Sequence, residues 1–227
     1  MASILLGTRV VSAAAGDSGW TLTTDGGEKL CADACVFTPP LPQSLDLLRA
    51  GGTILPSDAL SDLQSIEYNP TITLRLLLSQ PPAVPSPGAV MTPSSEVQFV
   101  CDNVQKGVGK EPTLTLHAQD DLSRSNFDLP EEDLLEKMKE LAAPYIGSAT
   151  VLRAHLHKWR YATPSSQHPL RCLLTYPVPS AGVDKHRLSP IVFAGDAFFH
   201  ARVEGACLSG MAAAELVMKS LGVFPKM

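Results

Sequence analysis

The stretch Ser189–Gly222, SPIVFAGDAFFHARVEGACLSGMAAAELVMKSLG, decides how this chain is expected to fold. It opens with a short apolar run, Ile191–Ala194, which is typical of a buried strand. The dipeptide Gly195-Asp196 ends that run and starts a loop. The residues of Glu204–Leu221 then predict a helix that ends before a glycine. The stretch therefore predicts a strand, a loop and a helix in succession, as in an α/β protein.

The first turns of the predicted helix are rich in small residues, namely Gly205, Ala206, Ser209, Gly210, Ala212, Ala213 and Ala214. Small side chains at helical spacing allow another backbone or a flat ligand to come close. The carboxylate of Asp196 can accept hydrogen bonds from sugar-like hydroxyls, and the N–H groups at a helix start favour negative charge. The pattern indicates a cofactor site, although α/β proteins without a cofactor can also end in a strand and an Ala-rich helix.

Length, charge and composition exclude several classes of protein. A chain of 227 residues with 44% hydrophobic and 18% charged residues is typical of a globular protein with one or two domains. The net charge of −5 gives no electrostatic support for nucleic-acid binding. No apolar run approaches the roughly 18 residues of a membrane span. We therefore expect neither a nucleic-acid partner nor a membrane partner.

The five cysteines are Cys31, Cys35, Cys101, Cys172 and Cys207. An odd, scattered set indicates free thiols in a reducing compartment, so a cytoplasmic location is expected. The spacing of Cys31 and Cys35 does not fit a CxxC redox pair, and both are interpreted as structural. The apolar start of the chain has one basic residue, Arg9, at the wrong end for a secretory signal, and it predicts a strand.

Local patterns predict the remaining elements of the chain. The expected strands are Ile4–Val11, Gly19–Thr24, Lys29–Thr38, Tyr68–Ser79, Val97–Asp102, Thr113–Ala118 and Val151–Tyr161. The expected helices are Gln43–Ala50, Ser57–Ser65 and Pro130–Ala143. The first three strands form an antiparallel meander, and the proline-rich Gln80–Pro93 is expected to be a loop.

Alternation along Val151–Tyr161 places five side chains on one face of that strand, namely Arg153, His155, His157, Trp159 and Tyr161. A His-x-His pair can contribute to a metal site, but no third ligand with suitable spacing is visible. No metal is therefore expected, and a half-exposed sheet face is the preferred interpretation.

Several fragments, taken in order, resemble the amine-oxidase superfamily of flavoproteins, and most of all its renalase-like NAD(P)/FAD-dependent oxidoreductases. The fragments are Thr8–Val11, Gly19–Leu22, Ala32–Gln43, Phe99–Asn103, Lys158–Tyr161 and Phe193–Gly210. The resemblance implies an α/β (α+β mixed) fold that corresponds to the C-terminal part of an FAD-linked amine oxidase. It also implies a partial FAD-binding domain from residues 1–42 and 189–227, and a substrate domain from residues 43–188 with a mixed, mainly antiparallel sheet.

The same resemblance implies an FAD cofactor and a set of residues that contact it. These residues are Val10, Thr38, Pro39, Gly195, Asp196, Val203, Glu204, Gly205 and Ala206. The implied reaction is hydride transfer from a dihydronicotinamide-like or amine substrate to the flavin, with O₂ as the acceptor. No acid-base residue is implied, because hydride transfer does not require one.

One motif of the family is missing from the sequence. The G-x-G-x-x-G that places a helix N-terminus at the dinucleotide pyrophosphate does not occur in these 227 residues. The chain is therefore expected to be a truncated form. Two further functions stay open, which are a non-catalytic interaction module and a binding domain for another flat ligand.

Overall fold

The structure is a computed structural model that describes residues 3–16, 19–179 and 189–223. It divides into two compact units: unit 1 holds Met1–Glu67 and Pro164–Met227, and unit 2 holds Tyr68–Thr163. The mixed α/β fold class is confirmed. The boundaries between the units lie at Glu67/Tyr68 and Thr163/Pro164. The domain boundaries proposed from the sequence are at residues 42/43 and 188/189. Which unit holds the cofactor and which the substrate stays a prediction.

Unit 1 begins with an antiparallel meander. Its strands are β1 (Val10–Gly16), β2 (Gly19–Thr24) and β3 (Lys29–Ala32), in that order in the sheet. The predicted strand Ile4–Val11 is wrong in position, because pairing with β2 starts at Val10. The apolar side chains of residues 4–6 are exposed instead. An apolar run indicates burial in general but does not show which residues have a strand partner.

The second sheet of unit 1 joins the two ends of the chain. Its strands are β4 (Cys35–Phe37), β10 (Leu173–Thr175) and β11 (Ile191–Phe193), in the order β10-β11-β4. β4 and β11 run parallel, whereas β10 and β11 are antiparallel. The predicted strand Lys29–Thr38 is therefore two strands in two sheets, because β3 pairs with β2 and β4 pairs with β11. β10 was not predicted.

Three helices complete unit 1, and they are α1 (Leu41–Ala50), α2 (Ser57–Gln64) and α5 (Val203–Ser220). α1 begins earlier than predicted because a proline fits the first turn of a helix. α5 packs its Ala213 into a small core with Val192 and Ala194. None of the helices in residues 3–16, 19–179 and 189–223 has the length and apolar character to cross a membrane.

Unit 2 is a five-stranded sheet with two helices. The strands are β5 (Tyr68–Leu78), β6 (Ala89–Met91), β7 (Val97–Asp102), β8 (Thr113–Ala118) and β9 (Val151–Pro164), in the order β6-β7-β8-β5-β9. The helices are α3 (Asp120–Asn126) and α4 (Glu131–Ile146). β6 lies inside the predicted loop Gln80–Pro93, and α3 was not predicted. The predicted helix Pro130–Ala143 extends to Ile146 with Pro144 inside its last turn.

The two faces of the unit 2 sheet differ in chemistry, because alternate residues of a strand point to opposite faces. One face forms the core, where Ile72, Leu74 and Leu76 of β5 cluster with Leu134 and Met138 of α4. The register places other side chains on the opposite face, namely Thr73, Arg75, Cys101, Thr115 and His117. We call this second surface the polar face.

Candidate functional site

The parallel strands β4 and β11 end at the same edge of their sheet. Phe37 lies opposite Phe193, and the N–H of the next residue, Ala194, donates to the Phe37 carbonyl at 3.0 Å. Gly195 then has a φ of +138°, a conformation that favours glycine. A Cβ at this position would lie 3.7 Å from the carbonyl oxygen of Thr38. The predicted residues Thr38 and Gly195 are therefore neighbours, just beyond the ends of β4 and β11.

Ser209 fixes helix α5 to this strand end. The N–H of Gly195 donates to Ser209 Oγ at 2.9 Å, and Ser209 is completely buried. Small residues also allow the helix to approach the loop that precedes it. A Cβ at Gly205 would lie 2.1 Å from the carbonyl oxygen of His200. Gly205 and Ser209 of α5 therefore serve packing inside the protein, which is the first of the two roles, approach of a backbone or of a flat ligand, that the sequence indicated.

His168 holds the loop between β11 and α5, a role that sequence reasoning missed. Its N–H donates to the Ala197 carbonyl at 2.9 Å, and its carbonyl accepts the Phe199 N–H at 2.8 Å. The imidazole is buried, and Nδ1 accepts the N–H of Leu170 at 3.2 Å. The proton of the neutral ring is therefore on Nε2, which lies 3.9 Å from Asp62 Oδ2. No local pattern marks His168, because its partners are distant in sequence.

The predicted polar groups lie at the exposed end of this arrangement. Asp196 is exposed directly after Gly195. The N-cap of α5, Arg202, makes no side-chain cap hydrogen bond, and Val203 has 82% of its surface exposed. The carboxylate of Asp196 and the uncapped start of α5 therefore belong to one segment, which runs from β11 through the loop into α5. The nearby His200 Nδ1 is buried and has no hydrogen-bond partner among the described residues.

Val10 and Pro39 line a separate apolar pocket of about 290 Å³ in unit 1. Its other lining residues are Leu22, Ala32, Ala34, Cys35, Val36, Phe37 and Leu47. Gly195, Asp196 and the residues of Val203–Ala206 are not among them. The nine predicted residues therefore fall into two groups, and the segment Thr38-Pro39 connects them along the chain.

Cys35 is the chemically reactive residue type in this pocket. Burial raises the pKa of its thiol to about 12, because the thiolate would lose its hydration. The thiol is therefore neutral at physiological pH and unsuited to nucleophilic chemistry. This environment agrees with the structural role that its spacing from Cys31 indicated.

The predicted face of β9 is present in unit 2. The rings of His155 and His157 are stacked with centroids 6.4 Å apart, and the rings of His157 and Trp159 are 4.1 Å apart. Tyr161 packs edge-on against Tyr68 at 5.6 Å. Within the described ranges, no group of three His, Cys, Asp or Glu residues could hold a metal ion. The rings of His155, His157 and Trp159 therefore form a row along β9.

Comparison with known proteins supports a flavoprotein fold. A family model described as flavin containing amine oxidoreductase matches residues 2–218. Among solved structures, an oxidoreductase from Methanosarcina mazei is similar, with 17% identity and a TM-score of 0.60 over 92% of this chain and 49% of that chain. A putrescine oxidase with redesigned cofactor binding has 17% identity and a TM-score of 0.59 over 95% of this chain and 49% of that chain.

A protein from Pyrococcus furiosus has 15% identity and a TM-score of 0.52 over 97% of this chain and 48% of that chain. The chain therefore spans about half the length of each of these solved proteins. Identities at this level indicate a shared fold.

Proposed function

Because the chain belongs to the family of flavin-containing amine oxidoreductases, we propose that it acts as part of an FAD-dependent oxidoreductase of the renalase-like group. The proposed substrate is a dihydronicotinamide-like molecule or an amine, and the proposed final electron acceptor is O₂. The observation that carries the proposal is the position of Asp196 in the loop that leads from β11, the parallel partner of β4, to the start of α5. Crevices at the carboxyl ends of parallel strands are common ligand sites in α/β folds.

The side chains and backbone groups of this unit fit one part of FAD. The exposed carboxylate of Asp196 would accept hydrogen bonds from ribityl or ribose hydroxyls. The backbone N–H groups at the start of α5 would stabilise negative charge on the ring system. The flavin itself supplies the hydride acceptor, and the protein supplies orientation and charge.

The packing of the loop and helix supports a fixed orientation of these groups. Ser209 accepts a hydrogen bond from the N–H of Gly195 at the start of the loop. The backbone of His168 bonds to Ala197 and Phe199 further along the loop. Such anchoring would hold Asp196 and the start of α5 in place before a ligand binds, which lowers the entropy lost on binding. The Cys35 thiol stays neutral and would take no part in electron transfer.

Flavin titration tests the proposal on the 227-residue chain. FAD is added to the purified wild type and to Asp196→Ala, and binding is followed by flavin absorbance and fluorescence. Loss of a charge-assisted hydrogen bond of about 1.5–3 kcal/mol predicts roughly 10- to 150-fold weaker binding in the variant. Asp33→Ala is the matched control, because Asp33 is also an exposed carboxylate of unit 1.

The possible results separate the competing functions. FAD affinity that depends on Asp196 but not on Asp33 supports the flavoprotein assignment, and reduction of the bound flavin by NADH or benzylamine then identifies the substrate type. A wild-type chain that binds no FAD favours the non-catalytic interaction module. An unchanged FAD affinity in Asp196→Ala, together with a lost rate of flavin reduction, would make Asp196 catalytic and overturn its binding role.

A further inference from the structure

A pocket of about 360 Å³ lies in unit 2. It is lined by Arg75, Leu76, Leu77, Asn103, Thr113, Thr115, Arg153, Ala154 and His155. These residues include two guanidinium groups and no carboxylate. We propose that this pocket binds the phosphate or carboxylate group of a small-molecule ligand.

The first argument is that both arginines lack an acidic partner. Arg75 and Arg153 are exposed, and the ion pairs found in the described part of the chain involve neither of them. A guanidinium group has five N–H donors and no acceptor, and its planar fork matches a phosphate or carboxylate. Two such groups in one pocket therefore offer more donors than the protein itself uses.

The second argument is the orientation of His155. Arg75 Nη2 lies 3.1 Å from His155 Nδ1, and because arginine only donates, Nδ1 must be the acceptor. The neutral ring therefore carries its proton on Nε2, and this N–H is a further donor. The contact also restricts the Arg75 side chain, so less conformational entropy is lost when an anion binds.

The third argument concerns the polar groups at the side of the pocket formed by β8. Asn103 Nδ2 donates to the hydroxyl oxygens of Thr113 at 3.2 Å and Thr115 at 3.0 Å. The Thr113 oxygen accepts this bond through a lone pair and still carries one O–H hydrogen that it can donate. The pocket is therefore lined by donors of hydrogen bonds on more than one strand.

The nearest acidic residue along the chain, Asp102, belongs to the other face of the sheet. It lies opposite Leu114 of the core, and its carboxylate accepts the N–H groups of Val104 at 2.8 Å and Gln105 at 3.3 Å. Burial lowers the pKa of His117 on the polar face, and the positive charge of the nearby Lys106 lowers it further. The polar face around the pocket is therefore electropositive, as an anion site requires.

Isothermal titration of the 227-residue chain with inorganic pyrophosphate, without flavin, tests the site. Arg75→Gln and Arg153→Gln are each expected to weaken binding by about tenfold or more, because each removes charge-assisted hydrogen bonds. Arg124→Gln is the matched control, since Arg124 is an exposed arginine of unit 2 that donates to Asn69 Oδ1 and lies outside the pocket. Far-UV circular dichroism and thermal melting confirm that each variant is folded.

A parallel titration with succinate distinguishes the source of the anion. Tighter binding of pyrophosphate with the same dependence on the two arginines identifies a phosphate ligand, and tighter binding of succinate identifies a carboxylate ligand. The site is disproved if the wild type binds neither anion at millimolar concentration, or if Arg124→Gln weakens binding as much as the pocket variants do. Because FAD is absent, either result is independent of the flavin titration of Asp196→Ala.

Discussion

The two units are stabilised in different ways. Unit 2 is one continuous stretch of chain, and its interior strand β5 has 11 residues and pairs with β8 at five consecutive positions. Unit 1 combines both ends of the chain, and its second sheet is made of three strands of three residues each. The short strands of unit 1 therefore need additional contacts to hold them, whereas the long strands of unit 2 share one closed core.

Those additional contacts in unit 1 are polar and backbone contacts of specific residues. Trp20 Nε1 donates to the Pro190 carbonyl at 3.1 Å, which ties the meander to the start of β11. Ser209 accepts from Gly195, and Gly205 packs against the backbone of His200. Both units bury apolar side chains, and unit 1 buries Trp20, Phe193 and Phe198 completely or nearly so. The comparison teaches that the short strands of unit 1 combine this burial with specific hydrogen bonds and a close backbone approach.

The largest expected effect is in the core of unit 2. Leu116 of β8 is completely buried in that core, so Leu116→Ala should lower the free energy of unfolding by about 2–5 kcal/mol. Leu152→Ala is the control, because 61% of the Leu152 surface is exposed. Urea unfolding measures the loss, and hydrogen exchange should show it mainly within Tyr68–Thr163. An equal loss of protection in unit 1 would show that the two units unfold as one.

The same difference explains which elements could be predicted from the sequence. In unit 2, the predicted strands Val97–Asp102 and Thr113–Ala118 have the bounds of β7 and β8. These two strands are neighbours along the chain and pair with each other. In unit 1, Lys29–Thr38 has the local pattern of one strand, and only the distant partner β11 separates β4 from β3. Local pattern carries no information about a partner that lies far along the chain.

The candidate site was predictable to a similar degree. Asp196 and the start of α5 follow from an apolar run, a Gly-Asp pair and a helical pattern, all of which are local signals. The roles of Ser209 and His168 could not be predicted, because each depends on a hydrogen bond to a residue brought close by folding. The anion pocket was missed for the same reason, since Arg75 and Arg153 belong to different strands.

A smaller effect is expected where unit 1 depends on a close backbone approach. Gly205→Ala would place a Cβ 2.1 Å from the His200 carbonyl oxygen, and the required shift should cost about 1–3 kcal/mol. Gly210→Ala in the same helix is the control, because no atom lies within 4 Å of its new Cβ. The control should gain up to about 1 kcal/mol from helix propensity. Urea unfolding of both variants measures the difference, and a stabilised Gly205→Ala would show that the contact is not tight.

The smallest expected effect is on the pH dependence of stability, and it is compared for one buried thiol of each unit, Cys35 and Cys101. Burial raises the pKa of Cys35 to about 12 from an ordinary value of 9.0, so above pH 9 the unfolded chain loses a proton that the folded chain keeps. Stability should therefore fall with rising pH by about 1.4 kcal/mol per pH unit more in wild type than in Cys35→Ala. In unit 2, burial also raises the pKa of Cys101, but the nearby Lys106 opposes the rise, so Cys101→Ala should change the slope less. Urea unfolding from pH 9.0 to 10.5 measures both slopes. A slope unchanged in Cys35→Ala would show that water reaches the β4 edge of unit 1.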